Sequence, residues 1–189
     1  MPNTIASIGN AAFQDCTRLT NINIPDSIIA INSNTFKNCT MLTNITIPDG
    51  VESIGSNAFN GCNKLKNIII PKTVTSIGNS AFLGCTALTD VYYGDTETEW
   101  NNIQGGGKPT STIHYNQETA KIQDIYDYHD DVKSDKPRIL DYITYTKSNN
   151  QVTITGLKSG VQSTDLIGDF IIPDTIEGCN VVAIGDRVF

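Results

Sequence analysis

The chain has 189 residues, of which 39% are hydrophobic and 17% are charged, so it can bury the core of one or two domains. Its formal net charge is −7, and the whole deficit lies in residues 94–189, which hold 8 basic and 15 acidic side chains. The sequence has no run of Lys or Arg and no apolar stretch near the roughly 20 residues of a membrane span. This composition argues against nucleic-acid binding, anionic membranes and membrane insertion.

Residues 1–93 repeat with a period of 23. Seven apolar or cysteine positions recur in all four units, which we call columns. Two of these columns are Phe13, Phe36, Phe59 and Phe82, and Cys16, Cys39, Cys62 and Cys85. A unit of this length cannot bury its apolar face alone, whereas stacked units place each column against itself. The repeat therefore predicts a β-rich solenoid of the α/β class, with four coils joined by a parallel sheet.

Each coil divides into three predicted sides. Alternation places Ile22 and Ile24 on one face of a short strand, and Asn21 and Asn23 on the other. Pro25 ends that strand because it has no N–H to donate. A second extended side follows, and the stretch before each Phe and Cys is predicted to form a helical turn.

The second extended side ends at a corner position, which is Gly9 in coil 1, Asn32 in coil 2, Gly55 in coil 3 and Gly78 in coil 4, with the coils numbered along the chain. Glycine suits a tight corner, and asparagine is the residue that best tolerates left-handed backbone geometry in its place. We therefore expect a tight corner in each coil, with left-handed backbone geometry at Asn32.

The pattern I-P-x-x-V-x-x-I-G-x-x-A-F-x-x-C-x-x-L-x-x-I-x-I, clearest in residues 48–70 and 71–91, resembles the BspA-like or treponemal-type leucine-rich repeats. The resemblance covers residues 1–93 and, in altered form, the C-terminal end. It implies a curved leucine-rich-repeat solenoid from a cell-surface or secreted protein of a host-associated microbe. Several such proteins are adhesins for host matrix or plasma proteins. Because the Met1 end lacks the features of a signal peptide, targeting and anchoring signals are expected outside this segment.

Residues 94–116 have the pattern of a C-terminal cap for the array of residues 1–93. Asp95 or Thr96 can begin a helix, and Thr96 with Glu99 fits a capping box. That helix would carry Trp100 and Ile103 onto the open end of the core. A loop over 104–112 and a closing strand at residues 113–115 complete the predicted cap.

The remainder divides into a linker and a second repeat region. Residues 117–137 form an acidic linker, in which Ile122, Ile125, Tyr126 and His129 have the spacing of a short amphipathic helix. Residues 138–189 begin with a predicted β-hairpin around residues 142–155. Ile184, Gly185 and Phe189 then restore the repeat spacing, so we predict the cap and first coil of a second array.

No pattern indicates catalysis, a metal or a cofactor. The cysteine column is best explained as small buried side chains, although bridging between adjacent coils and metal binding are the alternatives. His129 beside Asp130 and Asp131 matches no zinc or calcium spacing. His114 has no neighbouring nucleophile motif. We therefore expect a protein that is not an enzyme.

The candidate binding surface is the outward face of the first strand of each coil, which is the strand of residues 21–24 in coil 1. This face is expected to be concave. Its residues are Asn21, Asn23, Asn44, Thr46, Asn67, Ile69, Asp90 and Tyr92. The asparagines can instead form a structural ladder of amide hydrogen bonds. Ile69 and Tyr92 are expected to form an exposed apolar and aromatic spot, which suits protein contacts. The leading hypothesis is adhesion to a host matrix or plasma protein, and the alternative is a passive scaffold or stalk that presents other domains.

Overall fold

The computed structural model describes residue 1 and residues 4–116, 143–148, 151–157, 175–176 and 179–186. The predicted linker helix, the acidic residues around His129 and the position of Phe189 lie outside these residues. The strands are β1 (Ser7–Ile8), β2 (Ala30–Ile31), β3 (Asn44–Thr46), β4 (Ser53–Ile54), β5 (Asn67–Ile70), β6 (Ser76–Ile77), β7 (Asp90–Tyr93), β8 (Thr112–His114), β9 (Ile143–Ser148), β10 (Gln151–Leu157), β11 (Thr175–Ile176) and β12 (Cys179–Ile184). The helix α1 spans Glu97–Asn102.

The predicted solenoid with parallel sheets is confirmed. One sheet has the order β3-β5-β7-β8, and the second extended side forms a sheet of order β2-β4-β6. Asn44 pairs with Asn67 and Asn67 pairs with Asp90, so residues 23 positions apart share a register. This register stacks each apolar column into one core.

The third side of each coil consists of consecutive turns, so the predicted helical turn is wrong. In coil 1, the amides of Gln14 and Cys16 donate to the carbonyls of Ala11 and Phe13. Between these turns, the amide of Phe13 donates to the carbonyl of Thr35 at 2.9 Å. Left-handed φ angles recur at Ala11, Asp15, Asn34, Asn38, Asn57, Gly61, Ser80 and Gly84. These angles interrupt the helical path and turn alternate amides toward the next coil. We call this hydrogen-bonded side the turn ladder.

The corner position requires close approach of two backbones, and the predicted left-handed geometry is wrong. None of its four residues has a positive φ. A Cβ on Gly55 would lie 2.6 Å from the amide nitrogen of Ser33, so glycine lets the two coils touch. In coil 2, Asn32 carries a side chain there, and its Nδ2 donates to the carbonyl of Ile8 at 2.6 Å. The backbone amide of Gly55 makes the equivalent bond to Ile31. Consistent with this difference, β1 pairs with β12 rather than with β2.

The core contains a column of stacked phenylalanines. The centroids of successive rings from Phe13 to Phe82 are 5.4 Å apart, and their planes differ by 13° or less. The cysteine column lies beside it. The thiols of Cys39, Cys62 and Cys85 each donate to a phenylalanine carbonyl of the preceding coil at 3.1 Å. The thiols thus pack in the core and also satisfy backbone carbonyls.

The helix of the C-terminal cap begins at the predicted residue. Thr96 is its N-cap, and the hydroxyl of Thr96 accepts a hydrogen bond from the amide of Glu99. The amide of Thr96 donates to the carboxylate of Asp95, which takes the role expected of Glu99 in the capping box. Trp100 and Ile103 are buried in the core, and the Trp100 ring meets the Tyr93 ring edge-on. The helix therefore covers the end of the apolar columns.

The C-terminal segment packs against coil 1. Strands β9 and β10 form the predicted antiparallel hairpin, and β12 pairs with both β10 and β1 in parallel. Ile184 aligns with Ile8, and both belong to the same core cluster. Ile184 therefore holds the place of a repeat residue, as its spacing predicted. That residues 138–189 begin a second array stays a prediction.

Candidate functional site

Two rows of side chains run along the outward face of the β3-β5-β7-β8 sheet. The register aligns Asn44, Asn67 and Asp90 in one row, and Thr46, Ile69, Tyr92 and His114 in the other. We call these seven residues the polar sheet face. The predicted members Asn21 and Asn23 are exposed and lie outside any strand. The structure therefore joins six of the eight predicted residues in a hydrogen-bonded sheet and adds His114.

The first row contains a single step of the expected amide ladder. Nδ2 of Asn67 lies 3.4 Å from Oδ1 of Asn44, which is a long hydrogen bond. The row then changes chemistry, because Asp90 is a carboxylate. Its Oδ1 lies 2.7 Å from Nε2 of His114, and its Oδ2 accepts from the Thr89 hydroxyl at 2.7 Å. The amide ladder therefore does not reach the end of the row nearest the cap, where the side chains form a charged cluster instead.

Hydrogen bonds to His114 and then to Thr89 hold the pKa of Asp90 below its usual range. The side chains of His114 and Asp90 remain 38% and 33% exposed. The carboxylate is therefore ionised at neutral pH and accessible to a partner. Within the part of the chain that the structure describes, this is the one titratable pair on the sheet face whose hydrogen bond joins a repeat strand to the cap.

Ile69 is buried, so its predicted exposure is wrong. Only 2% of its surface is accessible, although it does not belong to the core cluster that contains Ile68 and Ile70. In the sheet it lies between Thr46 and Tyr92, whose longer or branched side chains flank it. The alternation of side chains along the strand predicts the correct face of the sheet for Ile69. It cannot show that side chains of the neighbouring strands shield Ile69 from solvent. Ile69 therefore supports the sheet face and does not form its contact surface.

Tyr92 and His114 form the aromatic part of the polar sheet face. Their ring centroids are 4.8 Å apart and their planes differ by 17°, so the rings are stacked. Sequence reasoning placed His114 in a closing strand but did not include it in the site. The signal was available, because a parallel closing strand in register with Asp90 to Tyr92 brings His114 beside Tyr92.

The four cysteines of the repeat column are poor candidates for a reactive site. Burial raises the pKa of Cys16 and of Cys85 to about 12, and burial also raises the pKa values of Cys39 and Cys62. All four are free thiols. Among the described residues, no group of three or more His, Cys, Asp or Glu side chains could hold a metal ion. The cysteine column is thus explained by packing and by its bonds to backbone carbonyls.

Parallel coils of constant length, with apolar columns inside and a row of polar side chains along one sheet, define a leucine-rich-repeat solenoid. The family model for the BspA type leucine rich repeat region, with 6 copies, matches residues 1–103. The chain therefore belongs to this family. No curated protein sequence matches the chain.

Solved structures of bacterial leucine-rich proteins are similar to the chain. A leucine rich cell surface protein from Faecalibacterium prausnitzii is 38% identical with a TM-score of 0.55, and the match covers 58% of this chain and 29% of that protein. A leucine rich repeat protein from T. pallidum is 26% identical with a TM-score of 0.47, and the match covers 66% of each chain. One from Bacteroides ovatus is 28% identical with a TM-score of 0.27, covering 50% of this chain and 38% of that one.

The matches define the chain as a BspA-type leucine-rich-repeat protein, and the F. prausnitzii protein to which it is similar is a cell surface protein. The matched region spans 29% of the length of the F. prausnitzii protein. No helix within the described residues is long and apolar enough to cross a membrane. The repeats of this family are typically non-catalytic, and leucine-rich repeats in general mediate protein interactions. A protein-interaction module is the function class consistent with these findings.

Proposed function

We propose that the chain is a protein-binding module of a cell-surface or secreted protein and that it binds a host matrix or plasma protein through the polar sheet face. The stacked pair of Tyr92 and His114 beside the ionised Asp90 is the observation that carries the proposal. Tyrosine is enriched at protein interfaces because a large ring contributes contact area and its hydroxyl can hydrogen-bond. The cluster offers this combination on a rigid sheet.

Neighbouring residues extend the proposed surface. Asn44 and Asn67 are half-buried amides in the adjacent strands, and each offers both donors and acceptors. They can form the polar rim around the aromatic centre, which is the usual arrangement of a protein interface. Asn21 and Asn23 extend the same surface toward coil 1. No basic cluster is needed, because the proposed contacts are hydrogen bonds and aromatic packing.

The test is direct binding of the chain to immobilised fibronectin, fibrinogen, laminin and collagen. The test variant combines Asn67→Asp with Tyr92→Ala and leaves the buried Ile69 intact. The control variant combines Asn63→Asp with Ile29→Ala, which alters exposed residues away from the polar sheet face. We expect saturable binding to at least one protein, with affinity reduced about tenfold or more in the test variant, which corresponds to about 1.4 kcal/mol.

The control variant should bind as the parent chain does. Equal losses in both variants would contradict a site on the polar sheet face. Absence of binding to all four proteins would contradict the proposed partner class and favour the scaffold hypothesis. Circular dichroism of each variant shows whether a loss of binding arises from the changed surface residues or from unfolding of the chain.

A further inference from the structure

The sequence contains one Asn-Gly pair, Asn60–Gly61, and the structure places it in the turn ladder of coil 3. An asparagine followed by glycine is prone to lose its side-chain amide, because glycine has no Cβ to hinder the approach of its backbone nitrogen to the asparagine side chain. The equivalent pairs of the other coils are Gln14–Asp15, Lys37–Asn38 and Leu83–Gly84. Of the four coils, coil 3 alone therefore carries this reactive pair at that position.

The peptide group between Asn60 and Gly61 is hydrogen-bonded to the coils on both sides. Its carbonyl accepts from the amide of Asn38 in coil 2 at 2.7 Å, and its N–H donates to the carbonyl of Leu83 in coil 4 at 2.8 Å. Within coil 3, Nδ2 of Asn60 donates to Oδ1 of Asn57 at 3.1 Å. The backbone nitrogen that would attack and the side-chain amide that would leave are therefore both held in place.

The loss of the side-chain amide begins at the backbone amide of Gly61. Once this N–H has left the carbonyl of Leu83, it gives its proton to a solvent base, and the nitrogen forms a bond to Cγ of Asn60. The Cγ–Nδ2 bond breaks, and the leaving nitrogen takes up a proton and departs as ammonia. Water then adds to either carbonyl carbon of the resulting succinimide ring, and the ring nitrogen receives a proton. The product is an aspartyl or an isoaspartyl peptide.

We propose that Asn60 is a modification site that the turn ladder keeps latent and that becomes reactive when coil 4 opens away from coil 3. The acceptor that restrains the Gly61 nitrogen belongs to coil 4, and the half-buried Asn60 is within reach of water. The isoaspartyl product adds one atom to the backbone and a carboxylate to the ladder, so the Gly61 amide no longer meets the Leu83 carbonyl. The modification therefore makes an opening of coil 4 permanent.

The site lies on the turn ladder, whereas the polar sheet face lies on another side of each coil. The proposal therefore does not depend on the function proposed for that face. It also has a structural readout of its own, because the same Gly61 N–H must open before hydrogen exchange and before attack on Asn60.

The test compares the conversion of Asn60 in the whole chain with its conversion in a blocked peptide of residues 57–64. Mass spectrometry of digested samples with chromatographic separation measures asparagine, aspartate and isoaspartate at position 60, and hydrogen exchange measures opening at the Gly61 amide. Folding should slow the two reactions by the same factor, roughly tenfold or more, because both require the same opening. Asn63 precedes Lys64 and is the internal control, since it should convert far more slowly in both samples.

A matched pair of variants tests whether the opening is local. Phe82→Leu removes the ring that stacks on Phe59 at 5.4 Å, so coil 4 should open more often. Conversion at Asn60 and exchange at Gly61 should then accelerate together, by roughly tenfold. Ile184→Asp acts at the other end of the array, where β12 pairs with β1, and should leave both rates unchanged.

Two results would overturn the proposal. One is conversion of Asn60 in the folded chain at the rate of the free peptide. The other is conversion that stays unchanged in Phe82→Leu while exchange at Gly61 accelerates. If Phe82→Leu does not fold, urea below the unfolding midpoint replaces it, since urea increases opening in the parent chain. Asn60→Gln is the chemical control, and it should remain unmodified because its longer side chain must close a larger ring.

Discussion

The carboxylate of Asp90 connects the last repeat strand to the cap at the level of single side chains. It accepts hydrogen bonds from His114 in β8 and from Thr89 beside it. A lowered folded-state pKa means that the charged form is favoured by folding. The contribution of Asp90 to stability is therefore full above its ordinary pKa of 3.8 and is lost as the pH falls through the lowered value.

We predict that His114→Ala raises the pKa of Asp90 toward 3.8, because the largest cause of its lowering is removed. Thr89 should keep part of the shift. The measurement is an NMR titration of side-chain carboxyl carbons. Thr75→Ala is the control, since its hydroxyl bonds to the carbonyl of Glu52 on the other extended side. An Asp90 midpoint that does not move in His114→Ala would contradict the assigned partner.

At this scale the sequence predicts burial better than it predicts surface contacts. The Phe column and three of the four cysteines lie in the core, as their spacing indicated, and the half-buried Cys85 packs against it. The predicted face of Ile69 is correct, but side chains from the strands on both sides shield it from solvent. His114 enters the site through the register of the cap strand. Both outcomes depend on side-chain neighbours that one-dimensional alternation does not specify.

Among the elements, the corner position determines how closely two coils can approach. Glycine at this position allows the backbone amide to reach the carbonyl of the preceding coil, as Gly55 and Gly78 do at 2.7 Å. Asn32 is the exception, and its side-chain amide replaces the backbone donor. The repeat spacing predicted the corner but could not separate its two possible causes, which are left-handed φ and close approach.

We predict that Gly55→Asn destabilises the chain by about 1–3 kcal/mol, because its Cβ would press against the Ser33 backbone and weaken the bond to Ile31. Urea unfolding measures the loss. Gly106→Ala is the control, since its Cβ would meet only the side-chain oxygen of Asn79, at 3.4 Å, and should change stability by less than about 0.5 kcal/mol.

The reverse variant, Asn32→Gly, should let the amide of residue 32 replace the side-chain donor to Ile8. Hydrogen exchange at the backbone amide of residue 32 should then slow, while exchange at the amide of Gly78 stays the same. Equal stability of Gly55→Asn and the parent chain would show that close approach at the corner is not required.

At the scale of the whole molecule, the C-terminal segment contacts coil 1 and covers the N-terminal end of the repeat array. The amides of Ala6 and Gly9 donate to the carbonyls of Val182 and Ile184 at 2.6 and 2.7 Å. The similarity between Ile184-Gly185 and Ile8-Gly9 indicated a repeat-like strand. It could not show which coil that strand would meet, because the exposed end of any coil has a compatible pattern.

We predict that Ile184→Asp releases this segment from coil 1, because a carboxylate would replace a side chain that is 1% exposed in the core. Hydrogen exchange at Ala6 and Gly9 should accelerate at least tenfold, whereas Gly78 should be unaffected. Asp186→Asn is the control, since an amide oxygen can still accept from the backbone of Asn10. Unchanged exchange at Ala6 and Gly9 would mean that the segment does not cover coil 1 in solution.

The alignment of residues 23 positions apart has a consequence for how such genes can change. An in-frame duplication or loss of one whole unit would place each column against an equivalent neighbour, so every new interface would be of a kind already present. A change whose length is not a multiple of 23 residues would move the phenylalanine column out of the core. Recombination between repeats can therefore lengthen or shorten the polar sheet face while the fold stays the same.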